Sequence, residues 1–127
     1  MNSEMTDLAR EAVACDGWRW MPGMRAEWQG LCREYSAIVV GIEQGCPRMT
    51  NGHIRQDALP DLESPATLGC LLHLVREVWG DPEIHLDLLR NGIWEVRTGV
   101  SSGLAVVAAG GTEASALVAA LKAGGDQ

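Results

Sequence analysis

The sequence predicts an α+β fold, an antiparallel sheet packed with about three helices. Three observations carry that prediction. Leu68, Leu71, Leu72, Val75, Val78 and Trp79 recur at helical spacing between a Ser64-Pro65 start and a Gly80-Asp81-Pro82 stop. Residues 84–109 form short alternating segments joined by Asn91-Gly92 and Ser101-Ser102-Gly103, and strands linked by tight hairpins belong to antiparallel sheets. Residues 37–43, AIVVGIE, are the strongest β-branched run of the N-terminal half. The expected sheet combines an N-terminal hairpin and strand with a C-terminal three-stranded meander, and the C-terminal half reads as an αβββα unit.

The first helix is expected from about Glu4 to Cys15, with Met5, Leu8, Ala9, Ala12 and Val13 on one stripe, Ser3 as its cap and Asp16-Gly17 as its end. The stretch GWRWMPGMR, residues 17–25, follows. Trp18 and Trp20 alternate with Arg19 at the strand period, and Pro22-Gly23 has the chemistry of a turn. Residues 18–21 and 24–28 are therefore expected to form two arms of a hairpin, with Trp28 on the return arm. After the 37–43 strand, residues 45–63 are rich in Gly, Pro, Asn and Asp and read as one long loop. Ser64 is expected to cap the second helix, with Pro65 at its first position, where a missing N–H costs nothing.

The register of the meander can be argued from polarity. A two-residue Asn91-Gly92 turn would mix polar and apolar residues on both faces. A three-residue loop, Arg90-Asn91-Gly92, pairs Leu88 with Trp94, Leu86 with Val96 and Ile84 with Thr98, which makes one face apolar. Gly92 then takes the left-handed position, and His85, Asp87, Glu95 and Arg97 share the other face. Leu104–Ala109 is the expected third strand. Thr112 is expected to cap a last helix with Leu117, Val118 and Leu121 inward and Gly124-Gly125 at its end.

The whole chain, 1–127, reads as one domain, and a domain of this length buries roughly two-thirds of its unfolded surface. No apolar run reaches the roughly 18 residues of a membrane helix, and the N-terminal MNSEMTDLAREA lacks the pattern of a secretory signal. A soluble cytoplasmic protein, with no membrane partner, is the expectation. The net charge is −7, which argues against direct nucleic-acid binding, since that needs a cationic footprint. The charge is uneven: residues 1–56 hold seven acids and six arginines, whereas residues 57–127 hold ten acids and four bases.

Catalytic signatures are hard to find. The common nucleotide loops and the HExxH zinc motif are absent. Cys15, Cys32, Cys46 and Cys70 form no CxxC pair, and His53, His73 and His85 are scattered, so no metal or other cofactor is expected. Cys46 with His53 lacks an orienting third group, and Asp57, Asp61 and Glu63 do not have the spacing of a calcium loop. The residues best suited to contact a ligand or partner are Arg19, Trp20, Met21, Met24, Arg25 and Arg48. Trp, Arg and Met are enriched at interfaces, and Arg grips phosphates in two-point geometry. The competing reading makes the tryptophans core residues, because the chain has no Phe and a single Tyr.

Taken together, GWRWMPGMR, ALPDLESPATLGCLLHLVREVWGDP (58–82) and GTEASALVAALKA (111–123) resemble small phage and prophage proteins of the phage ABA sandwich domain group. The resemblance covers about 17–25 and 58–123, and the stretch 29–57 departs from it. It implies a small layered α/β domain encoded by a phage or prophage and working in a bacterial cytoplasm. It brings no activity and no functional residues. The resulting expectation is a non-catalytic accessory protein that binds a host protein, with interference in bacterial defence as one role. Acidic residues Asp57, Asp61, Glu63, Asp81, Glu83 and Asp87 suit a basic host partner. A small-nucleotide binder held by Arg19, Arg25, Arg48 and Trp20, a phage assembly protein, and a homodimer stay open as alternatives.

Overall fold

A Pro-led start and a glycine-led stop bound the central helix in the computed structural model, which describes residues 3–50, 52–98 and 106–125. The elements are α1 (Ser3–Ala14), β1 (Arg25–Gln29), β2 (Glu34–Glu43), β3 (Cys46–Met49), β4 (Leu59–Pro60), α2 (Pro65–Trp79), β5 (His85–Leu88), β6 (Trp94–Arg97), β7 (Val106–Gly110) and α3 (Glu113–Gly125). The fold is α+β, as expected. The strands, however, make two antiparallel sheets, one in the order β3-β2-β1-β4 and one in the order β5-β6-β7.

Gly80 closes α2 in the left-handed conformation at φ 64°, its N–H reaching back to the carbonyls of the last turn. Ser64 sits at the N-cap with extended backbone, but its hydroxyl makes no capping hydrogen bond. The side-chain cap expected at Thr112 is present on α3. The Ser115 N–H donates to Thr112 Oγ1 and the Thr112 N–H donates to Ser115 Oγ, each at 3.0 Å. This is a reciprocal capping box with Ser in the place usually taken by Glu or Gln. Inside α3, Leu117, Val118 and Leu121 are buried.

The meander has the register argued from polarity. Leu88 pairs with Trp94 and Leu86 with Val96, while His85–Arg97 and Asp87–Glu95 share the other face. Gly92 is left-handed at φ 84°. Ile84 precedes β5 and is fully buried. The described part of the third strand begins at Val106, and the expected Ser101-Ser102-Gly103 turn lies outside the described residues.

Two expectations are corrected in the N-terminal half. Residues 18–21 form no strand. The Pro22-Gly23 turn is present, with Met24 N–H bonded to Met21 O and Gly23 at φ 98°, but the return arm β1 pairs with β2. Gly23 N–H donates to Val39 O at 2.9 Å and Val39 N–H to Met24 O at 2.8 Å. Strand β2 runs Glu34–Glu43, and pairing with it buries Ala26 and Val39. The β-branched strand thus takes the ladder that 18–21 would have used, and Trp20 goes to the core.

The second correction concerns 45–63. It is not one loop, since it contains β3, β4 and a bridge between Arg48 and Ile54. Gln44 and Gly45 both have positive φ, 52° and 80°, which makes the β2–β3 connection a two-residue turn of the primed type.

The core joins Trp20, Met24 and Met49 to Leu71, Leu74, Ile84, Leu117 and Leu121. Helix α3 lies against β7, β6, α2 and α1. Thr67 is the buried polar side chain of this core among the described residues. Its Oγ1 accepts the Arg25 N–H at 2.9 Å, tying α2 to the start of β1.

Candidate functional site

The six residues singled out from the sequence are divided between the core and the surface. Trp20 is buried and meets Trp18 edge to face, with centroids 5.4 Å apart and planes at 80°. Met24 is fully buried and Met21 is half-buried against the core. These three therefore support the fold rather than present a contact surface, and the exposed tip of the turn is Pro22-Gly23. Arg19 is exposed but committed: its guanidinium forks onto Glu77, with Nη2 donating to Oε1 at 2.9 Å, and His73 Nε2 lies 3.1 Å from the same oxygen. That pairing raises the Arg19 pKa and holds the Glu77 carboxyl below its ordinary range. Arg25 donates from Nη1 to Ser36 Oγ at 3.2 Å. Arg48 lies 3.8 Å from Glu43 on the β2–β3 hairpin.

A different cluster does converge, at the end of the β1–β2 hairpin. The antiparallel register places Trp28 opposite Tyr35, and their rings stack with centroids 5.9 Å apart and planes 12° from parallel. The Arg33 guanidinium sits over Tyr35 at 4.6 Å and the Arg55 guanidinium over Trp28 at 5.6 Å. Both distances are within the reach of cation–π attraction. Arg55 is also held by Asp57, its Nε and Nη2 donating at 2.9 and 2.8 Å, which pulls the Asp57 carboxyl below its ordinary value. The hairpin turn is closed by Gly30 N–H donating to Arg33 O at 2.8 Å. A Cβ added at Gly30 would overlap the Tyr35 ring, so only glycine permits the ring to lie there. Leu31, at the tip, is fully exposed.

An open cleft of about 530 Å³ lies against this stack, lined by Trp28, Gln29, Gly30, Leu31, Tyr35, His53 and Arg55. A cleft of this size matches the volumes typical of small-ligand sites. His53 lines it and Cys46 does not, so the structure does not unite that pair in this cleft.

Trp28 also lines a smaller cleft of about 290 Å³, where Glu27 lies with Thr6, Arg10, Glu34 and Asp57. Burial first, and the charge of Asp61 second, push the Glu27 carboxyl above its ordinary pKa. Its Oε2 is buried without a hydrogen-bond partner. Neither Glu27 nor the Trp28–Tyr35 pair stands out in the sequence, because each acquires its meaning from the β1–β2 register.

The other candidate groups are engaged elsewhere. Cys70 is half-buried, which pushes its thiol pKa up. His85, Asp87, Glu95 and Arg97 form a surface ion cluster: His85 Nε2 and Arg97 Nε lie 3.3 and 3.4 Å from Asp87, and Arg97 Nη2 2.6 Å from Glu95. Among the described residues, no group of three or more His, Cys, Asp or Glu side chains is arranged to hold a metal ion, and no helix is long and apolar enough to cross a membrane.

Comparison with known proteins finds no matching family model, no matching curated protein and no matching solved structure.

Proposed function

We propose that this protein acts by binding rather than by catalysis, and that it engages a partner protein through the end of the β1–β2 hairpin. The observation that carries the reading is a fully exposed Leu31 backed by the Arg33–Tyr35–Trp28–Arg55 stack. Tyr, Trp and Arg are the residues that dominate binding hot spots. Here they are held rigid by one another, so little side-chain freedom is lost on association. The carboxyls of Glu77 and Asp57, each held below its ordinary pKa, support the non-catalytic reading, since each is engaged by an arginine on the surface. Joined to the phage resemblance of the sequence, this gives the role of a phage or prophage accessory protein that contacts a host protein in the bacterial cytoplasm, interference with host defence included.

Leu31→Asp tests the reading at little risk to the fold, because the side chain is exposed. Wild-type protein purified gently from a bacterial lysate is expected to retain a defined host polypeptide in native mass spectrometry. Leu31→Asp and Arg33→Glu are expected to weaken that complex by at least about tenfold, as loss of a hot spot does. A complex that both variants retain unchanged refutes the hairpin end as the contact.

The cleft of about 530 Å³ with aromatic walls and a guanidinium favours a second reading, a small-nucleotide binder. A base would stack on the aromatic side chains and Arg55 would meet a phosphate. Thermal melts with a nucleotide panel test it. A raised melting temperature abolished by Trp28→Ala supports it, and unchanged melts across the panel remove it.

A further inference from the structure

We infer that the outer edge of β5 is a dimerisation edge, at which two copies of the chain join their three-stranded sheets through antiparallel β5 strands about a two-fold axis at Leu86. This uses a face distinct from the hairpin end and stands independently of the partner reading. The argument begins with the loop after β5. Gly92 N–H donates to Leu89 O at 3.0 Å and Leu89 N–H to Ile93 O at 2.8 Å, so residues 89 and 93 are a hydrogen-bonded pair. Bonded and non-bonded pairs alternate along an antiparallel ladder. The next bonded pairs are therefore Asp87–Glu95 and His85–Arg97, and Leu86 and Leu88 turn their N–H and C=O groups away from β6. Among the described residues no strand pairs with that edge.

Both edges of the four-stranded sheet are blunted in the ways that prevent sheet extension. Strand β3 contains Pro47 and is bridged by Ile54, and β4 is two residues long and ends at Pro60. Strand β5 has no proline, and its exposed Leu88 adds an apolar side chain to the edge. Its polar side chains have a self-complementary spacing. With the axis at Leu86, Leu86 pairs with its own counterpart through outward-facing backbone groups. His85 then lies opposite Asp87 of the second copy, and Asp87 opposite its His85. An imidazole N–H of His85 can donate to the carboxylate opposite it, whereas like charges directly opposed destabilise a strand pair. Pairing stops near Ile84, whose carbonyl already accepts from Arg76 Nε at 2.8 Å.

Sedimentation equilibrium across a concentration series tests the inference, with amide exchange as a second readout. Wild-type protein is expected to dimerise, with the Leu86 amide exchanging more slowly as concentration rises. His85→Glu places a carboxylate opposite Asp87 twice per dimer and is expected to raise the dissociation constant by about tenfold. His85→Lys is expected to retain the dimer, and the exchange His85→Glu with Asp87→Lys to restore it. Circular dichroism melts confirm that each variant is folded. A protein monomeric up to millimolar concentration overturns the inference, as does a dimer indifferent to His85→Glu or one whose Leu86 amide exchange is independent of concentration.

Discussion

Trp28 and Tyr35 face each other across the β1–β2 ladder with nearly parallel rings, 12° apart, and each has an arginine against it. The pair stiffens the hairpin end from which Leu31 projects. Tyr35→Ala is expected to cost about 1 kcal/mol of stability beyond the area effect, the worth of an aromatic pair, and to loosen the hairpin tip. Denaturant unfolding measures the first, and faster amide exchange at Gly30, whose N–H closes the turn on Arg33 O, measures the second.

The Thr67 hydroxyl is a buried acceptor for the Arg25 N–H at 2.9 Å. Thr67→Val keeps the shape and removes the acceptor, which leaves the backbone donor unpaired. A loss of about 1–3 kcal/mol is expected, whereas Thr67→Ser keeps the bond and loses only the methyl packing. Urea titration of the two variants separates these effects.

Glu27 and Glu77 respond to pH with opposite sign. Burial raises the folded pKa of Glu27, so its contribution to stability is present below the unfolded pKa and lost as pH rises through the folded value. Glu27→Gln is therefore expected to melt higher than wild type at neutral pH, with the difference shrinking toward acid pH. Arg19 lowers the folded pKa of Glu77, so its contribution is present above the unfolded pKa and fades as pH falls through the folded value. Glu77→Gln is expected to lower the melting temperature at neutral pH and to have no effect once the carboxyl is protonated. Melting curves from pH 3 to pH 8, a range of about five units bracketing ordinary carboxylates, check both.

Thr112 and Ser115 cap α3 through paired bonds of 3.0 Å. Thr112→Ala is expected to cost about 1 kcal/mol, and Thr112→Asp to recover most of it, as N-cap preferences predict. Chemical denaturation reads both. Equal stability of wild type and Thr112→Ala would mean that the packing of α3 on β7 holds the helix without its cap.

The helices and the meander were readable because their signals are local. The repeat of Leu68, Leu71, Leu72 and Val75 needs only the helix period, and the 84–98 register follows from one choice that leaves Leu86, Leu88, Trp94 and Val96 on a single face. The same hydrogen bonds close residues 49–53, with Gly52 N–H to Met49 O and Met49 N–H to His53 O, both 2.9 Å. There the flanking CPRM and HIR segments have no alternation, so the local pattern carries no signal of paired strands. What stayed hidden was the choice of partner. Backbone hydrogen bonds are nearly the same for every residue, so the alternation of Trp18 and Trp20 permits a strand without saying whether β1 will pair with it or with β2. That competition is decided by burial across the whole domain. Its outcome moves Trp20 and Met24 into the core, sets Trp28 against Tyr35 and leaves Arg19 free to reach Glu77, 58 residues away. Period and turn chemistry act between neighbours, whereas strand partnership and the candidate site exist only once distant segments have excluded water together.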